Sequence, residues 1–93
     1  MEQTDWLNII KEAAGACGYE VNHYGENGLE LDAERKNAIS YYIKFNSSGY
    51  LEVSEWEWEK EEYGRAVYSL RDLRDVIRFC NIATDSFALR AKR

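Results

Sequence analysis

The chain has 93 residues, 45% of them hydrophobic and 31% charged, with two cysteines, one histidine and no proline. That length suits one domain, residues 1–93, large enough to bury a core without metals or disulfides, and it excludes a second. The formal net charge of -5 disfavours nucleic acid as a direct ligand, because an acidic domain repels a phosphate backbone.

No apolar run approaches the ~18 residues of a membrane span, and Met1–Asp5 lacks the basic flank of an export signal. The expectation is a soluble, cytoplasmic protein with no membrane partner. Charge is segregated along the chain. Residues 1–49 carry eight acids and four bases, residues 50–62 six acids and one base, and residues 65–93 three acids and seven bases.

Thr4 or Asp5 offers an N-cap oxygen to a first helix, in which Leu7, Ile10, Ala14 and Cys17 recur at helical spacing and Gly18 supplies a stop. Trp6, Ile9, Ala13 and Ala16 widen the apolar face, as suits a helix packed across a sheet. From Tyr19 the period becomes two. Strands are expected near Tyr19–Tyr24 and Leu29–Ala33, joined by a turn at Gly25–Gly28. After the polar stretch Glu34–Asn37, Ile39, Tyr41, Ile43 and Phe45 alternate with Ser40, Tyr42 and Lys44 as the clearest strand.

Asn46–Gly49 fits a type I turn closed by a left-handed glycine. Pairing Asn46 with Tyr50 then sets Phe45 opposite Leu51, Ile43 opposite Val53 and Lys44 opposite Glu52. Continued unbroken, this register places Glu55 and Glu57 on the core face and leaves Trp56 and Trp58 outside, against burial preference. Either a bulge near Ser54 and Glu55 turns the tryptophans inward, which is the reading preferred from sequence, or the strand runs past the core and shows both faces to a partner. Tyr63 and Gly64 read as a turn and Arg65–Ser69 as a short last strand. Ser69 then caps a second helix with Asp72 completing a capping box, and Leu70, Leu73, Val76, Ile77 and Cys80 form its apolar stripe. Ile82–Arg93 reads as a short basic terminal helix capped by Thr84 or Asp85, or as a frayed end. The fold class is therefore α+β: an antiparallel sheet of three to five strands with an N-terminal and a C-terminal helix packed on one face.

Chemistry-bearing patterns are sparse. His23 is the single histidine, in a strand, with no nucleophile elbow elsewhere. Cys17 and Cys80 read as small hydrophobes on helix faces, not as a disulfide or a metal pair. The glycines form no phosphate cradle. No enzyme, metal site or cofactor is expected.

The unusual feature is the run Glu52, Glu55, Trp56, Glu57, Trp58, Glu59, Glu61, Glu62 and Tyr63. In a regular strand Glu55, Glu57 and Glu59 share one face at about 6.7 Å spacing, a carboxylate ladder that does not help folding. One reading is a solvated edge strand whose charges discourage aggregation while the tryptophans pack inward. The other is an interface for a protein with a basic surface, with these nine residues as the binding set. A catalytic carboxylate pair lacks a pocket in the sequence. Tyr41, Tyr42, Trp56 and Trp58 on neighbouring strands also suggest a base-stacking platform, which the acidic neighbours oppose.

The order of helix, antiparallel strands and helix from Asp5 to Asn81, with its Glu-rich segment, resembles several phage-encoded anti-defence inhibitors, including small acidic anti-CRISPR proteins. The likeness is architectural and carries no shared motif, and the basic C-terminal end departs from the most acidic of them. It implies a stoichiometric, non-catalytic inhibitor that occupies a basic nucleic-acid-binding site on a bacterial defence protein. A toxin-immunity protein that covers a nuclease is the competing expectation.

Overall fold

Helical spacing of Leu7, Ile10 and Ala14 produces the first element, α1 (Gln3–Cys17), with those three side chains buried. The computed structural model describes residues 3–25, 27–34 and 38–91. The helix starts at Gln3, so Thr4 and Asp5 lie inside its first turn and neither is the N-cap; Asp5 still places a negative charge near the positive end of the helix dipole. Gly18 ends it at φ 122°, and the N–H groups of Gly18 and Tyr19 both donate back to the Ala14 carbonyl, at 3.2 and 3.1 Å. A side chain there is excluded twice, by that φ and by the Phe87 ring, which lies 2.9 Å from where a Cβ would stand.

Five strands follow: β1 (Glu20–Tyr24), β2 (Gly28–Asp32), β3 (Tyr41–Phe45), β4 (Leu51–Glu57) and β5 (Glu62–Leu70). They form one antiparallel sheet in the order β1-β2-β3-β4-β5, so every strand pairs with its neighbour in sequence. A final helix, α2 (Leu73–Ala91), packs against α1, and both helices lie on the same side of the sheet. Between the layers Leu29, Leu31, Tyr41, Ile43, Leu51 and Val53 meet Ile10 from α1 and Val76 and Phe79 from α2, all at most 1% exposed. Tyr19 joins three parts of this core. Its ring packs on Phe87 at 4.7 Å, and its hydroxyl lies 2.9 Å from the Ile39 carbonyl and 3.2 Å from that of Ala83. Cys17 and Cys80 are free, half-buried thiols whose pKa values burial raises. Among the described residues no helix is long and apolar enough to cross a membrane.

The β3–β4 register is the one expected from the turn: Phe45 opposite Leu51, Lys44 opposite Glu52 and Ile43 opposite Val53. The Asn46 N–H donates to the Tyr50 carbonyl at 3.0 Å, the Asn46 carboxamide oxygen accepts from Ser48 at 2.9 Å, and Gly49 takes φ 89°.

Five expectations need correction. The irregularity near Ser54 lies between β4 and β5, while β4 stays in regular register with β3 as far as Glu55 opposite Tyr41. The parity of β4 is therefore kept, and Trp56 does not turn into the core. The last turn is formed by residues 58–61, not by Tyr63 and Gly64, which are inside β5. The Lys60 N–H closes it on the Glu57 carbonyl at 3.2 Å.

β5 also runs through Ser69 and Leu70, so Ser69 is not a helix cap. Asp72 takes that role, accepting from the Asp75 N–H at 2.9 Å while the Asp75 carboxylate reaches back to the Arg71 N–H at 3.0 Å. This start shifts the buried stripe of α2 to Val76, Phe79, Ala83 and Phe87, and leaves Leu73 and Ile77 exposed. The helix continues through Thr84 and Asp85 without a new cap.

Glu61 holds φ 54° at the end of the β4–β5 turn, a conformation that costs an L side chain about 1 kcal/mol. Glu61→Gly is expected to stabilise the fold by about that amount in urea denaturation, with an unchanged far-ultraviolet spectrum.

Candidate aromatic and acidic site on the open sheet face

Because strand side chains alternate, the parity that buries Tyr41 and Ile43 sends Tyr42, Ser54 and Trp56 to the face with no helix over it. On β2 the alternation Leu29, Glu30, Leu31, Asp32 buries the leucines and sends both carboxylates to that same face. Five rings run across it in succession. Tyr24 meets Tyr42 edge-on at 5.8 Å, Tyr42 meets Tyr63 at 5.7 Å, Tyr63 meets Trp56 at 5.0 Å, and Trp56 meets Trp58 at 6.2 Å.

Glu30 organises this row. Its Oε2 accepts from the Tyr63 hydroxyl at 2.6 Å, and its Oε1 accepts from the Asn22 amide at 3.0 Å and the Tyr24 hydroxyl at 3.4 Å. A phenol donating to a carboxylate at 2.6 Å is a strong, charge-assisted bond. Burial, then the hydrogen bond and charge of Glu30, push the Tyr63 pKa far above the usual tyrosine value; the charge of Glu30 does the same for exposed Tyr24 more weakly. Gly28 permits the approach, since a Cβ there would lie 2.8 Å from the Tyr24 carbonyl oxygen and 3.1 Å from the Tyr42 hydroxyl.

At one end of the row a half-open cavity of about 170 Å³ is lined by Glu30, Asp32, Ser40, Trp56, Trp58 and Tyr63. Its back wall is fixed from the chain before β3. The Trp56 N–H donates to the Ser40 carbonyl at 3.0 Å, and the buried Ser40 hydroxyl accepts from the Ala33 N–H at 2.9 Å. The Asp32 carboxylate accepts from the Glu34 N–H at 2.8 Å.

Acidic charge is crowded beside this face. Glu20 stands directly opposite Asp32, and Glu57 opposite Glu62, both like-charged pairs that cost the sheet stability. The Glu20 pKa is raised, mainly by a hydrogen bond with Glu34 and then by the charges of Glu34, Asp32 and Glu30.

The nine residues expected as a binding set divide. Trp56, Trp58 and Tyr63 join the open-face row, and half-buried Glu52 lies on the same face opposite Lys44. Glu55 and Glu57 turn to the opposite side of the hairpin, where they line a shallow depression with Lys60, Gly64, Arg65 and Val67. Glu59 and Glu61 sit exposed in the turn and Glu62 exposed at the start of β5. The ladder is thus cut short, because β4 ends at Glu57 and Glu59 lies beyond it. Tyr41, suggested for a stacking platform, is wholly buried. Sequence reasoning missed Glu30, Asp32, Tyr24 and Asn22; their signal was the alternation in β2 and its partner β1. Among the described residues no three His, Cys, Asp or Glu side chains are grouped to hold a metal ion.

Two variants test this arrangement. Gly28→Ala is expected to destabilise the fold by about 1–3 kcal/mol and to change the near-ultraviolet circular dichroism, since Tyr24 or Tyr42 must move. Tyr63→Phe removes one charge-assisted bond to a half-exposed pair and is expected to cost about 1 kcal/mol. Because folding raises the Tyr63 pKa, its contribution is complete below about pH 10, the unfolded tyrosine value, and is lost as pH rises through the folded value. In an ultraviolet titration of the tyrosines, the component ionising last should disappear in Tyr63→Phe.

No family model, curated protein or solved structure matches this chain.

Proposed function

We propose that the protein is a non-catalytic, protein-binding inhibitor that meets a basic surface with its open sheet face and acidic hairpin. One observation carries the reading: a sheet face without helices bears a continuous aromatic row built around a carboxylate. Trp and Tyr are the side chains that most often dominate binding energy in interfaces, and carboxylates set among them select a basic counterpart. The like-charged pairs Glu20–Asp32 and Glu57–Glu62 support it further, because they weaken the isolated fold and are relieved when a cationic surface approaches.

The architectural likeness to phage anti-defence proteins suggests the partner: a nucleic-acid-binding protein of a bacterial defence system, met in the cytoplasm. A nuclease toxin covered by its immunity protein uses the same physics. A sheet-based nucleic-acid module is less well supported, since Glu30, Asp32 and Glu52 share the face with the rings and repel phosphate.

The test is affinity capture from bacterial lysate with three proteins: wild type, a hairpin variant with Glu55, Glu57, Glu59 and Glu61 all changed to Lys, and Trp58→Ala. A nucleic-acid-binding protein retained by the wild type, lost by the hairpin variant and weakened by Trp58→Ala is the expected result, with association slowing as salt rises. Equal capture by all three folded proteins would overturn the proposal.

A further inference from the structure

We infer that the cavity between Trp56, Trp58 and Tyr63 is a recognition site for an organic cation, namely an alkylammonium or guanidinium group. As the anchor for a partner's lysine or arginine it rests on the protein-binding reading; as a cation site it stands without it.

The walls have the required geometry. Trp56 and Trp58 are inclined at 82°, and Trp56 and Tyr63 at 76°, so the three rings form a corner and do not stack flat. The negative face of an aromatic ring attracts a cation lying within about 6 Å of its centroid, and several rings set at angles are the usual arrangement for alkylammonium recognition. Tyr63 is held in place by its 2.6 Å bond to Glu30. Donating its proton to a carboxylate also gives the phenol partial phenolate character, which makes the ring more electron-rich.

The floor has the required charge. Glu30 and Asp32 are two apart on β2 and both line the cavity. Among the described residues, neither forms an ion pair with a lysine or arginine within 4.0 Å. Glu30 uses three donors from Tyr63, Asn22 and Tyr24, whereas a carboxylate offers about four acceptor sites, so one direction is left for an incoming N–H.

Size and polarity narrow the occupant. The space of about 170 Å³ equals several waters at about 30 Å³ each, enough for one cationic head group and too little for a large ligand. An anion is repelled by the two carboxylates. A bare metal ion finds apolar rings on the remaining sides, where hard cations require oxygen.

The experiment is titration of the purified protein with choline, methylguanidinium and the neutral choline isostere 3,3-dimethyl-1-butanol, following the indole N–H signals of Trp56 and Trp58 by NMR. Saturable shifts with the cations, roughly tenfold weaker with the isostere and weakened to a similar degree in Trp58→Ala, are the expected result. Glu30→Gln should weaken the cations alone. If that variant unfolds, Asp32→Asn serves as the second charge test. Equal binding of choline and its isostere, or no saturation by any cation, would overturn the assignment. A short lysine- and arginine-containing peptide separates the two sources: tighter binding than free choline assigns a protein-borne cation, and equal or weaker binding assigns a free small molecule. Cation binding together with failed charge-dependent capture would sink the inhibitor reading and leave this site standing.

Discussion

The side-chain parity of β4, pinned at the Asn46–Gly49 turn, is the constraint on which the rest of the molecule depends. Strand side chains alternate with a period of two, so a slip of β4 by one residue against β3 would send Glu52 and Ser54 into the core and Leu51 and Val53 out of it. The carboxamide of Asn46 and the positive φ of Gly49 exclude that slip. Once Phe45 is opposite Leu51, the same regular register carried on to Glu55 fixes Trp56 on the far face. The aromatic row is a direct consequence of how the core is filled. Both helices lie on one side of the sheet, so the row has no helix to cover it.

A bare aromatic face is a liability unless it is satisfied within the chain, and here it largely is. Edge-on ring pairs contribute about 0.5–1.5 kcal/mol each beyond their buried area, and the tyrosine hydroxyls of Tyr24 and Tyr63 are both directed to Glu30. Three donors to this half-buried carboxylate replace much of its hydration. Gly28 closes the row on the β1 side by letting Tyr24 and Tyr42 come together over a position with no side chain. The face is therefore preorganised by contacts within the chain, which in the proposed binding role would lower the ordering cost of association.

The fold was legible in the sequence wherever a local rule acted alone. The first helix and its Gly18 stop, the 46–49 turn and the register of β3 against β4 all follow from spacing and turn chemistry. Errors arose where two rules competed. Trp56 and Trp58 suggested inward packing because tryptophan is usually buried, but the register of β4 overrides that preference: Trp56 is half-buried among rings on the second face and Trp58 stays 45% exposed. Gly64 suggested a turn, whereas the actual turn places Glu61 in the left-handed region, for which its sequence gives no sign. Ser69 and Asp72 both suit a helix cap, and the continuation of β5 through Leu70 decides in favour of Asp72. The site was half visible. The acidic and aromatic run pointed to Trp56, Trp58 and Tyr63, but Glu30 on β2 reaches Tyr63 on β5 across 33 positions of sequence and past two intervening strands, a contact that no local pattern encodes.

The hairpin formed by β4 and β5 separates its acidic side chains from its aromatic ones. Glu55 and Glu57 face one side, Trp56 and Tyr63 the other, and the turn between them carries Glu59 and Glu61. Charge acts over roughly 8–10 Å in physiological salt, while ring contacts act only at touching distance. In the proposed protein-binding role, the acids at the tip would act on a basic partner before contact whichever side approached first, and the open face would supply the shape to hold it. Under that proposal the division assigns the encounter rate to the turn and the lifetime of the complex to the aromatic row, so the two properties would change independently through substitutions on opposite sides of one hairpin.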